Sequence, residues 1–205
     1  MDKYYRLINR EHPLPENYIP DNLVDIGLPF DALPGEQKRL LEEKAAYAVL
    51  ELISRSRREG LNLYCISGYR SYKRQAELYA AGSCTAPPEE KRKTWNGAEG
   101  VKYSYVAAPG TSEHQSGLAL DLSCPAVHME LTEAFAETKE GIWLSGHAPL
   151  YGFILRYPKN KEPITGIPYE PWHIRYVTKP LASYLAITGL TLEEYHAMEN
   201  PVEIS

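Results

Sequence analysis

The chain has 205 residues, 43% of them hydrophobic and 24% charged, enough for one globular domain around a single core. A net charge of −5 argues against a nucleic-acid partner, because phosphate binding wants a basic surface, and no apolar run approaches the length of a membrane-spanning helix. Sixteen tyrosines against three phenylalanines favour half-wet surfaces and clefts, where a ring packs while its hydroxyl meets water.

The opening "MDKYYRLINREHPLPENY" lacks the basic-then-apolar order of a secretory signal. It fits a cytoplasmic chain if this is the native start, or a cell-envelope protein if an anchor has been lost upstream. Residues 1–35 are Pro-rich and without periodicity, and their Leu, Ile, Val and Phe content reads as an extended arm laid across a domain of residues 36–205. From Glu36 to about Arg58 the pattern turns helical, with Leu41, Ala45, Ala48 and Leu52 on one stripe and Gly60 after the end. "LNLYCIS" (61–67) alternates as a strand, and Ser71 caps a second helix that ends at Gly82. Residues 83–104 read as a long loop at a cleft rim.

"GLALDLS" (117–123) is a further strand, followed by a short helix around 139–148. "YGFILRYP" and "WHIRYV" are two more strands, joined by "KNKEPITGIPYEP", which has hairpin-loop chemistry. The last part is helical in two pieces broken at Gly189, the second opened by a capping box at Thr191, "TLEE". This order predicts an α+β fold: one domain with a small antiparallel sheet flanked by helices.

The chemistry gathers in three places. In "SEHQSGLALDLS", Leu118, Leu120 and Leu122 face the core while Ala119, Asp121 and Ser123 face the other way. His114 stands just before that strand, and Gly117 lets the backbone turn beside it. Alone, this pair is either two metal ligands or a neutral His–Asp hydrogen bond. In "YEPWHIRYV" the strand puts His173, Arg175 and Val177 on one face, so His173 supplies a third ligand. Two imidazoles, a carboxylate and an open fourth position are the donor set of catalytic zinc. Glu170, three residues before His173, would face the opposite side of a regular strand; Pro171 breaks the regularity and lets the carboxylate swing over the metal as general base. Without His173 beside it, Glu170 would read as a loop charge. Arg70 sits where a strand ends and a helix begins, and its guanidinium suits an oxyanion or a substrate carboxylate. Gln75, one turn on, either hydrogen-bonds a peptide group or lies on a solvated helix face.

With these residues in hand, the chain resembles the zinc D-alanyl-D-alanine carboxypeptidases of the VanY type, together with the VanXY and LdcB enzymes. The resemblance runs from about "LINREHPLP" to "TLEEYH" and is carried by "SGYRSYKRQ", "PGTSEHQSGLALDLS", "YGFILRYP" and "YEPWHIRYV". It implies Zn2+ held by His114, Asp121 and His173 in a cleft on the sheet, with Glu170 as catalytic base. It further implies that Arg70 stabilises the tetrahedral intermediate and that Ser112 and Gln75 contact substrate. The reaction implied is release of a C-terminal D-amino acid from a peptidoglycan stem peptide or its precursor. Within that resemblance three substrates compete: a D,D-pentapeptide stem, a tetrapeptide stem cut at an L–D bond, and free D-Ala-D-Ala. A non-catalytic wall-peptide-binding module is the rival from another class. Cys84 and Cys124 lie at element ends and are candidates for a bridge, and a monomer is expected.

Overall fold

The computed structural model describes residues 2–84 and 106–199. Most of the loop expected at 83–104 lies outside the described residues, as does the side chain of Cys84, and with it the pairing with Cys124. Cys124 itself is buried.

The domain is α+β, as the element order predicts. A four-stranded sheet is built from β3 (Tyr64–Ser67), β4 (Ala119–Ser123), β6 (Glu170–Tyr176) and β5 (Phe153–Tyr157), side by side in that order and antiparallel throughout. β1 (Leu23–Val24) and β2 (Leu41–Glu42) form a separate two-stranded ribbon. α1 (Glu43–Arg58) follows β2 directly. The helix therefore starts later than the periodicity suggests. Leu41 is buried with Ala45, Ala48 and Leu52, but it reaches the core from the ribbon rather than from a helical turn. Glu42 explains the late start: its carboxylate accepts from the backbone N–H of Lys44 (2.9 Å) and Ala45 (3.3 Å), satisfying two of the donors a helix N-terminus leaves open.

Alternation places Leu120, Leu122 and Ile174 on the core side of the sheet, against Val49, Leu52, Ile53, Phe135 and Phe153. Each such side chain contributes about 1.5–3 kcal/mol of burial. α2 (Tyr72–Cys84) is opened by Ser71, whose hydroxyl accepts from the Arg74 amide at 3.3 Å, and it runs on past Gly82. α3 (Lys139–His147) continues into a single 3-10 turn, and α4 (Glu162–Thr165) is a short helix inside the stretch read as a hairpin loop. α5 (Lys179–Thr188) ends at Gly189, whose φ of 69° is left-handed. α6 (Leu192–Glu199) opens on a reciprocal capping box: Thr191 Oγ1 accepts from the Glu194 amide (3.2 Å) and the Glu194 carboxylate accepts from the Thr191 amide (2.7 Å). Among the described residues no helix is long and apolar enough to cross a membrane.

Candidate metal centre

The sheet's register places the site. Asp121 on β4 lies directly opposite His173 on β6 and Ser67 on β3, so three neighbouring strands present these side chains in one row. His114 comes to the same row from a one-turn 3-10 helix, Glu113–Ser116, which Gly117 closes at φ 69°. An added Cβ at Gly117 would sit 3.0 Å from the Glu42 amide nitrogen, so both conformation and space call for glycine there.

Asp121 Oδ2 is 3.2 Å from His114 Nε2, and Asp121 Oδ1 is 2.9 Å from His173 Nδ1. The imidazole rings stand edge to face, 5.0 Å between centroids. All three residues are buried, and their ligand atoms lie within 4.8 Å of one another.

His114 shows that this arrangement fits a cation. Its Nδ1 is 2.7 Å from the carbonyl oxygen of Gly68, which can only accept, so Nδ1 carries the proton. Burial lowers the pKa of His114, with the Arg70 charge adding to it and Asp121 opposing, so the ring is neutral at neutral pH. Its Nε2 lone pair then faces a carboxylate oxygen 3.2 Å away. Burial alone would raise the Asp121 carboxyl, yet the His173 imidazole, 2.9 Å from Oδ1, holds it below the usual carboxylate range, so it stays ionised. Lone pair against carboxylate in a dry pocket calls for a positive charge between them, and N, N and O donors suit a divalent transition metal.

Glu170 overlooks this group. Between β5 and β6 the register shifts, Leu155 pairing with Ile174 but Tyr157 with Glu170. Pro171 therefore does not end the strand, as expected from sequence; β6 runs through it with a bulge, and the bulge does the re-aiming. Glu170 Oε2 comes to 3.9 Å from His173 Nδ1 although the two are three residues apart. Burial pushes the Glu170 carboxyl up to about 7; the His173 imidazole works against this and the Asp121 carboxylate with it.

Arg70 is held at the near edge of the row. Its backbone N–H donates to the His114 carbonyl (3.2 Å), Nη2 to Ser67 Oγ (3.0 Å) and Nη1 to Gln75 Oε1 (2.9 Å). Gln75 is buried, not solvated: its Nε2 donates in turn to the Ala107 carbonyl at 2.6 Å. Ser112 is buried at the start of the 3-10 turn, and its hydroxyl makes no capping bond there. The six residues singled out besides Ser112 thus form one connected group.

Four more charged residues, not picked out from sequence, stand behind it. Glu113 is fully buried; its Oε1 accepts from Arg156 Nε (2.8 Å) and Arg175 Nη1 (2.8 Å), and its Oε2 lies 3.5 Å from His173 Nε2. Arg156 goes on to Glu193, with Nη1 and Nη2 at 2.8 and 2.6 Å from its two carboxylate oxygens. Arg175 Nη2 donates to the Arg6 carbonyl at 3.0 Å. One signal was present: "FILRY" and "HIRYV" each carry a single arginine within an otherwise apolar or aromatic strand. A cavity of about 570 Å³ opens beside Arg156 and Tyr157, between the 7–12 segment, α4 and α6, with Thr111 on its wall. Tyr157 packs on His173 with ring centroids 5.0 Å apart, so the cavity adjoins the metal centre.

Comparison with known proteins gives a consistent picture. A family model described as VanY, D-alanyl-D-alanine carboxypeptidase, matches residues 38–179. The YodJ protein of Bacillus subtilis (strain 168) is 43% identical over 189 residues, covering 92% of this chain and 65% of its own. The LdcB LD-carboxypeptidase structure superposes with a TM-score of 0.80 at 42% identity, covering 93% of this chain and 84% of that one. A mutant of the vancomycin-resistance D,D-pentapeptidase VanY, solved in complex with Zn(II), matches with a TM-score of 0.73 at 32% identity over 95% and 99% of the two chains. The chain spans less than two thirds of the length of the curated relatives it matches first.

Proposed function

The chain belongs to the VanY D-alanyl-D-alanine carboxypeptidase family, and from that premise we propose that it is a zinc-dependent carboxypeptidase removing the C-terminal D-alanine from peptidoglycan stem peptides or their precursors. The observation that carries this reading is the His114 lone pair facing the Asp121 carboxylate at 3.2 Å, with His173 completing the donor set and Glu170 above it.

His114, Asp121 and His173 would hold the zinc. When bound, zinc supplies Lewis acidity, lowering the pKa of a water toward 7 and polarising the scissile carbonyl. Glu170 takes the proton from the attacking water and passes it to the leaving amine; a carboxyl pushed up to about 7 is matched to both halves of that task. Arg70 offers the oxyanion those of its five donors that Gln75 and Ser67 leave unused. Gln75, with both ends of its amide engaged, is assigned the holding of Arg70, and Ser112 a contact with the peptide. The cavity beside Tyr157 has room for the body of the substrate. We assign residues 1–35 to a supporting arm, residues 36–205 to the catalytic domain, and the working form to a monomer.

The 42% identity to LdcB favours a second reading, an L,D-carboxypeptidase on tetrapeptide stems with the same machinery. Released D-alanine decides between them. Zinc-loaded protein is given a pentapeptide stem ending in acyl-D-Ala-D-Ala, a tetrapeptide stem, and free D-Ala-D-Ala. Turnover of the pentapeptide that falls about 10²–10⁴-fold in Glu170→Ala is the expected result. Preference for the tetrapeptide moves the chain to the L,D group. If no substrate is cut, the catalytic reading fails and a wall-peptide-binding module takes its place.

A further inference from the structure

We propose that Glu113 is a positioning residue for the metal centre: its free carboxylate oxygen selects the His173 tautomer that carries its proton on Nε2, and so leaves Nδ1 open as a metal ligand. The inference rests on the zinc reading above and adds to it a residue outside the ligand set.

Glu113 has one oxygen committed and one not. Oε1 accepts from two guanidiniums, Arg156 Nε and Arg175 Nη1, each at 2.8 Å. Oε2 is buried and has no hydrogen bond, and the same is true of His173 Nε2. These two orphaned atoms face each other at 3.5 Å, slightly beyond ordinary hydrogen-bond length, so a small rotation of the imidazole closes the gap. A buried polar atom left unpaired is destabilising, which favours the pairing of these two atoms with each other.

A neutral imidazole carries one proton on one of two nitrogens. With the proton on Nδ1 it points at Asp121 Oδ1, 2.9 Å away, and occupies the direction a metal would use. The Nε2 lone pair would then face the Glu113 carboxylate with no proton between them. With the proton on Nε2, Glu113 has its donor and Nδ1 is free. The carboxylate therefore favours the form that binds metal, as second carboxylates behind histidine ligands do in general. Glu113 is itself immobilised, because Arg156 is clamped by Glu193 and Arg175 is tied to the Arg6 carbonyl.

The test is Glu113→Gln. The two guanidiniums fix the amide oxygen on their own side, since an NH2 there would meet N–H donors. The amide NH2 must then face His173 Nε2, which reverses the preference and puts the imidazole proton on Nδ1. Zinc affinity, read by competition with a chromogenic chelator, is expected to fall about 10–100-fold. Metal-free circular dichroism and thermal unfolding establish that the variant is folded. Independently, long-range 1H–15N spectra of metal-free wild-type protein labelled in histidine, recorded at a pH where His173 is neutral, should show its proton on Nε2, a signature that a merely structural role for Glu113 would not produce.

A His173 proton on Nδ1 in that spectrum overturns the proposal, and so does wild-type zinc affinity in folded Glu113→Gln. If the variant does not fold, the wild-type spectrum decides alone. Failure of the wild-type protein to bind zinc overturns the zinc reading itself and this inference with it; zinc binding that ignores Glu113→Gln overturns this inference only.

Discussion

An added methyl group at Gly68 would sit 2.6 Å from the carbonyl oxygen of Leu40 and 2.9 Å from that of Lys38, both rigid backbone atoms. The same glycine offers its carbonyl to His114 Nδ1 and thereby turns Nε2 toward Asp121. Gly68→Ala is therefore expected to act twice. Overpacking should cost about 1–3 kcal/mol in urea denaturation, and displacement of the carbonyl should weaken zinc binding in a chelator competition. A lowered denaturation midpoint with unchanged zinc affinity would show that the carbonyl does not orient the ligand. Residues such as Gly68 also mark where a single sequence stops being informative. His114, Asp121 and His173 were legible because strand alternation says which side chains share a face, and their spacing fixes the rest. Glu113 was not: its meaning comes from Arg156 and Arg175, 43 and 62 residues away, and no local pattern names such partners.

The elements that carry the site were read with different success for a physical reason. Helix ends with side-chain caps, Ser71 for α2 and Thr191 for α6, are local events and match the structure. The bulge that aims Glu170 depends on how β5 and β6 pair, which is a property of two strands and not of one; from β6 alone only an irregularity at Pro171 was readable. α6 adds a pH-dependent joint. Burial acts to raise the Glu194 carboxyl, but the Thr191 amide, the Lys161 ammonium and the Thr191 hydroxyl override it and hold it below its ordinary 4.5. Lys161, just ahead of α4, lies 2.9 Å from Glu194, so the pair fastens α6 to that segment. A carboxyl with a lowered folded-state pKa contributes stability above its unfolded value, and that contribution is lost as pH falls through the folded value. Urea denaturation should thus show wild-type protein more stable than Glu194→Gln at pH 6, with the gap closing as pH drops below 4.5. A gap that stays constant with pH would mean that the ion pair does not contribute.

At the scale of the whole molecule, the N-terminal segment is tied into the turn that carries His114. Gln115 Nε2 donates to the carbonyls of Pro15 (2.9 Å) and Tyr18 (3.2 Å), and Leu14 N–H to that of Gly110 (2.8 Å). Tyr4 and Lys3 hold the Glu42 carboxylate that caps α1. Deleting residues 2–20 should lower thermal stability and also weaken zinc binding; a shortened protein with unaltered unfolding temperature would make the segment a passenger. The charged chain behind the site has a consequence for the order of biosynthesis. Glu113 precedes Arg156 by 43 residues, and Arg156 precedes Glu193 by 37. Translation proceeds at about 5–20 residues per second, so the ribosome has delivered His114 and Asp121 several seconds before the last clamp of Glu113 exists. Until His173 is made, a nascent chain holds Glu113 without the imidazole it faces, and until Glu193 is made, Arg156 lacks its clamp, so the network behind the site is complete only after α6 has emerged.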